Sequence, residues 1–109
     1  MTDCIVALVT VGTREEGERI ADALVPESVA ACVNIVGPIR SIYHWQGTLH
    51  HDEELLLIIK TRRELFDRLA ARVRALHSYD NPEVVALPIV AGAEEYLGWV
   101  RVTTSREPG

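Results

Sequence analysis

Apolar positions fall into two kinds of run along this chain. Residues 4–11 (CIVALVTV) are apolar almost without a break, rich in β-branched side chains, and end at Gly12, the pattern of a buried strand. The spacing then changes. Thr13 and Glu16 form a capping box, and Gly17, Ile20, Ala21 and Leu24 recur at helical intervals. Arg14, Glu15, Glu18 and Asp22 supply the wet face, and Pro26 ends a helix predicted over about 13–25. Residues 30–36 (AACVNIV) read as a second strand. Gly37 and Pro38 bend it rather than end it, and 39–46 (IRSIYHWQ) resumes the extended pattern. Gly47 and Thr48 turn the chain, and 51–60 (HDEELLLIIK) returns as a third strand, making a long bent hairpin.

Thr61 and Glu64 read as a second capping box opening a helix with Leu65, Phe66, Leu69, Val73 and Leu76 as its buried stripe. Residues 77–82 (HSYDNP) form a polar loop, and 83–90 a fourth strand whose Pro88 marks an edge or a bulge. A short last helix over 94–102 carries Tyr96, Leu97 and Trp99, and 103–109 reads as a frayed tail. The order βαββαβ predicts an α+β, ferredoxin-like fold with an antiparallel sheet, formed as one domain over 1–109 with a core at about 4–102. A sheet of this class carries helices on one face and should alternate apolar and polar residues. Residues 4–9 and 55–59 are apolar on both faces, and the chain has no spare helix for the second. A second subunit is the expected cover.

Composition narrows the function. A chain of 109 residues with 48% hydrophobic content has room for one core. Sixteen acidic residues against 11 basic ones give a net charge of −5, which opposes a nucleic-acid or anionic-membrane partner. The longest apolar run is too short for membrane insertion. Two distant cysteines, Cys4 and Cys32, make no disulfide framework, and a cytoplasmic location is expected. The motifs of serine hydrolases, nucleotide-binding loops and zinc proteases are missing, so the chain is not expected to be an enzyme.

Four segments in register resemble the CutA family of divalent-cation-tolerance proteins: 30–35 (AACVNI), 41–47 (SIYHWQG), 54–61 (ELLLIIKT) and 77–83 (HSYDNPE). The likeness runs from about residue 5 to residue 99. It implies a ferredoxin-like protomer in a stable homotrimer, tied to tolerance of divalent cations, with copper bound by some members and no cofactor required. The family's shape is similar to the PII signalling trimers, which implies as an alternative a PII-like ligand sensor or scaffold. The chain also departs from the pattern. Ser78 replaces the usual proline of the loop and Asp80 the usual glutamate. Val9 stands where copper-binding members carry cysteine, and Leu76-His77 where they carry paired histidines, so His77 alone remains of that ligand set. The resemblance thus implies at most weak Cu(II) or other divalent-cation binding.

His77 at a helix end reads either as a C-terminal cap or, with Tyr79 and Glu83 nearby, as a metal ligand or pocket base. Cys32 and Asn34 share a strand face: the thiol suits a small buried position, and the amide needs a partner, either the bend near Gly37 or a ligand. Tyr43 and Trp45 share another face and read as a subunit interface or a pocket wall. Residues 50–54 (HHDEE) read as mostly a solvated turn able to pick up metal fortuitously. Lys60, ending a buried strand, is expected to pair with Glu83 or to bind an anionic ligand. Cys32, Asn34, Tyr43, Trp45, Lys60, Tyr79 and Glu83 are thus the candidates for an intersubunit pocket, with His77 the candidate for metal.

Overall fold

The computed structural model describes residues 2–105. Strand β1 (Cys4–Val11) leads into helix α1 (Arg14–Leu24), and strands β2 (Cys32–Trp45) and β3 (Thr48–Arg62) form a hairpin. A 3-10 turn (Arg63–Leu65), helix α2 (Phe66–Leu76), strand β4 (Val84–Pro88) and helix α3 (Glu94–Thr103) complete the order. The four strands lie in the order β2-β3-β1-β4, every neighbour antiparallel, which is the ferredoxin-like arrangement read from the sequence. Ala7, Val9 and Val11 of β1 and Leu57 and Ile59 of β3 point to one face, where Ile20 and Leu24 of α1 and Leu69 and Val73 of α2 meet them. Each valine, leucine and isoleucine among them contributes roughly 1.5–3 kcal/mol through burial. Thr13 caps α1 as expected, its Oγ1 accepting from the Glu16 N–H at 3.1 Å.

The second face corrects one expectation. The chain does place a helix there: Leu97 and Val100 of α3 pack on Cys4 and Ala31. Arg62 fastens the end of α3, its Nε donating to Thr104 Oγ1 at 2.8 Å and its Nη2 to the Thr104 carbonyl at 3.1 Å. Thr103 and Thr104 are therefore a held helix end rather than a frayed tail; 106–109 lie outside the described residues. One short helix covers only the Cys4 end of this face. Farther along, Val6, Leu8, Leu56 and Ile58 are half-buried, and Val36, Val85 and Leu87 are exposed by 43, 48 and 54%.

The hairpin outruns the sheet. β1 ends with Val11 opposite Leu55, so Ile39 to Trp45 and Thr48 to Glu54 pair only with each other, as an arm. A bulge between Val36 and Ile39, containing the cis Gly37–Pro38 bond, marks the bend expected at these residues. Gln46 and Gly47, both at positive φ (51° and 78°), close the tip as a two-residue turn whose twist matches the strands.

The second capping box does not form. Thr61 stays in β3 opposite Ile5, and its hydroxyl donates to the Val29 carbonyl at 2.7 Å. A threonine committed to the core cannot cap a helix. A 3-10 turn intervenes, and α2 starts at Phe66 without a side-chain cap.

Candidate functional site

A cleft of about 720 Å³ opens at the base of the arm, facing the 77–83 loop, and Thr10 contributes to its lining. Its geometry begins with Glu16, whose place as the third residue of α1 is fixed by the Thr13 cap. The residue is 5% exposed. Its Oε2 accepts the Ser78 N–H at 2.7 Å and its Oε1 the Gly12 N–H at 3.4 Å, one residue before the Thr13 N–H that a capping box would engage. Burial alone would raise the Glu16 carboxyl. The hydrogen bonds from Ser78, the neighbouring His77 and the Gly12 N–H outweigh it and hold the group below its ordinary value. The loop after α2 is thereby tied to the start of α1.

His77 sits behind this knot with its side chain fully buried. Its Nδ1 accepts the Tyr79 N–H at 3.0 Å, which leaves Nε2 to donate to the Thr10 carbonyl at 2.7 Å. The capping reading is therefore corrected in part. The His77 backbone N–H closes α2 on Val73, but the imidazole turns away, and Arg19 Nη2 reaches the Leu76 carbonyl at 3.3 Å instead. With both ring nitrogens engaged, no lone pair of His77 faces a metal. Among the described residues, no three His, Cys, Asp or Glu side chains converge to hold a metal ion. This donor set does not fit a resident metal.

Tyr79 stands tilted against His77, ring centroids 4.6 Å apart, and its hydroxyl donates to Glu54 Oε2 at 2.9 Å. Gly12 makes the approach possible, since a Cβ there would lie 3.2 Å from the phenol oxygen. Burial first, then the bond to Glu54, pushes the Tyr79 phenol above its usual range. Tyr43 donates to Asp52, which raises its phenol to about 12, and its ring stacks on His50 at 5.2 Å. Both phenols hold their protons and act as donors to carboxylates.

The structure brings Tyr43, Trp45, Tyr79 and Glu83 together on this cleft. Cys32, Asn34 and Lys60 form a separate group farther down the sheet: Lys60 Nζ donates to Asn34 Oδ1 and lies 3.9 Å from Cys32 Sγ. The expected Lys60–Glu83 pair is corrected. Lys60 stands opposite Cys32 on the β2 side, whereas Glu83 precedes β4 on the far side of β1. Asn34 likewise satisfies its amide oxygen with Lys60 and not at the bend. Glu54 corrects the reading of 50–54 as a solvated turn, for it is 5% exposed. Its even spacing with Leu56 and Ile58 puts it on their half-buried stripe of the second face, a signal that the run of charges hid.

Residues 5–103 match the protein family described as CutA1 divalent ion tolerance protein. The chain belongs to the CutA1 family. The Divalent-cation tolerance protein CutA of Thermus thermophilus is 54% identical over 99 residues, covering 91% of this chain and 96% of that protein. Protein CutA, chloroplastic, of Arabidopsis thaliana is 51% identical over 100 residues, 92% of this chain but 55% of that protein. The chain thus spans about half the length of this plant CutA relative. The solved structure of the divalent cation tolerance protein (Cut A1) from Thermus thermophilus superposes with a TM-score of 0.89 at 52% identity, covering 92% of this chain and 97% of the other. Family membership accounts for the sheet order and the arm, and assigns no residue a role. No helix among the described residues of this CutA1 chain is long and apolar enough to cross a membrane.

Proposed function

We propose that this chain is a non-enzymatic divalent-cation tolerance protein that works as a homotrimer, residues 1–109 acting as one domain in the cytoplasm. The observation that carries the assembly is the apolar second face. Val36, Val85 and Leu87 are exposed where α3 fails to reach, and a surface of this kind calls for a protein cover. The names of the relatives support the tolerance role, and two free cysteines suit a reducing compartment. Any Cu(II) contact is weak. Apart from fortuitous contact at His50 and His51, it involves the His77 imidazole, which must leave either Thr10 or Tyr79 to coordinate. Light scattering coupled to size exclusion at low micromolar concentration is expected to give a trimer mass, and a clean monomer would remove the basis for the assembly. Growth of a host lacking its own CutA, under graded copper, tests the role: expression of this chain should restore tolerance.

The cleft favours a second reading, a PII-like trimeric ligand sensor. It has the volume of a small-molecule pocket, and its two phenol–carboxylate pairs keep the tyrosines protonated instead of activating them as nucleophiles. In this reading Cys32, Asn34 and Lys60 are a separate subunit-facing group, and Tyr43, Trp45, Tyr79 and Glu83 contact the ligand.

A further inference from the structure

Opposite charges stand at the two ends of the second face of the sheet. Glu54, Leu56, Ile58 and Lys60 of β3 alternate onto that face, two half-buried aliphatics between an acid and a base. The acid end is the cleft at the base of the arm, lined by Asp52, Glu54, Asp80 and Glu83 with no lysine, arginine or histidine among the lining side chains. The basic end lies toward α3, whose last turn Arg62 holds, and Lys60 there is the only lysine of the chain.

In its own chain neither Glu54 nor Lys60 pairs with an opposite charge. Glu54 Oε2 accepts from the Tyr79 hydroxyl, and Lys60 Nζ donates to Asn34 Oδ1 and lies 3.9 Å from Cys32 Sγ. They cannot meet each other, because six residues of one strand hold them roughly 20 Å apart. Among the described residues no buried side-chain nitrogen or oxygen lacks a partner, so a lone subunit is at rest with this arrangement. Assembly changes that. The proposed trimer covers this face, and covering a carboxylate and an ammonium apart from each other is far less favourable than covering them as a pair.

A cyclic trimer joins one patch of each subunit to a different patch of the next. A face acidic at one end, basic at the other and aliphatic between is complementary to itself head to tail. We infer that the cleft is a two-subunit site, completed by Lys60 of the partner subunit, whose ammonium enters at the base of the arm and pairs with Glu54. The inference rests on the trimer reading and names the contact that sets its register. A second copy suits the cleft because it brings the needed charge together with apolar cover for the exposed Val36, Val85 and Leu87. Around the ring every subunit gives one ammonium and receives one.

A double-substitution cycle on the intact protein tests it, with trimer dissociation in urea followed by mass. Glu54→Gln and Lys60→Gln should each raise the dissociation constant roughly tenfold or more per interface, as truncating one partner of a buried charge pair does. The two positions are too far apart to couple within a chain, so a double variant that loses about as much as one alone locates the pair between subunits. Glu53→Gln, exposed on the opposite face of the same strand, should combine with Lys60→Gln independently. If the effects of Glu54→Gln and Lys60→Gln multiply in a protein that is still trimeric, the pair is overturned and the trimer reading stands. A monomeric parent protein takes both. Should Glu54→Gln fail to fold, carbodiimide coupling of the parent answers instead, since it offers a single lysine. Covalent dimers and trimers are expected, with linking peptides that join Lys60 to Glu54. A trimer that yields no such link, or one that ties Lys60 to another carboxylate, overturns the assignment.

Discussion

Glu16 does two jobs that a sequence pattern reports as one. As part of a capping box it marks the start of α1, and as a buried carboxylate it fixes Ser78 and, through it, the loop that carries Tyr79. Its folded pKa lies below the ordinary 4.5, so its contribution to stability is fully present above that value and is lost as pH falls through the lower folded one. Glu16→Gln should cost roughly 1–3 kcal/mol at neutral pH, the worth of a hydrogen bond to a charged group. The same variant should flatten the acid limb of a denaturant-midpoint curve against pH; an unchanged limb would place the acid sensitivity elsewhere. The tyrosines shift the other way. Tyr43 is raised to about 12 by its bond to Asp52, Tyr79 by burial and Glu54, and Tyr96 by burial and the neighbouring Cys32. The folded state is thus favoured by these phenols below pH 10 and loses that advantage as pH climbs through their raised values. At pH 10, tyrosinate absorbance near 295 nm should be small in the folded protein and near half-maximal once the chain is unfolded, where the ordinary value of 10.0 applies.

Among the elements, those with a clean period were legible and those under tertiary command were not. The apolar stripes of α1 and α2 and the 13–16 cap sit where their spacing put them. Thr61 looked like a cap because Glu64 follows at the right interval, yet the β1–β3 ladder runs on through Arg62 opposite Cys4 and draws the threonine into the core. The reach of α3 onto the second face had no local signal, since Leu97 and Val100 suit packing on either side of a sheet. Glu54 and Lys60 show the same limit for the cleft: their faces follow from strand parity, but their partners depend on which strands lie side by side. The arm carries the sharpest consequence at this level. Trp45, 42% exposed near its tip, has too little of its own subunit to pack against. In the proposed trimer Trp45→Ala should cost roughly 2–4 kcal/mol per site, as truncated interface aromatics do. Guanidinium dissociation followed by mass measures it. Unchanged trimer stability, with water-like Trp45 emission in a Trp99→Phe background, would leave the arm free and the aromatic pair to the cleft alone.

The molecule as a whole measures 44 × 30 × 22 Å, elongated for its size because a two-stranded ribbon projects from a four-stranded sheet. That ribbon is a part with little cohesion of its own. Two strands in water are marginal without a third or a packed face, so the peptide groups of Ile39 to Trp45 and Thr48 to Glu54 should open far more readily than those of β1 or of β3 beyond Leu55. In a lone subunit their amide protons should trade with solvent deuterium quickly, while Val9 and Ile59 exchange only with global unfolding. If neighbouring subunits clasp the arm, slow exchange there becomes dependent on protein concentration. Dilution would then deuterate the ribbon first and leave the sheet untouched. Amides of the arm that exchange at one rate across roughly a hundredfold range of concentration, through the point where the trimer comes apart, would mean that the ribbon is held from within its own chain.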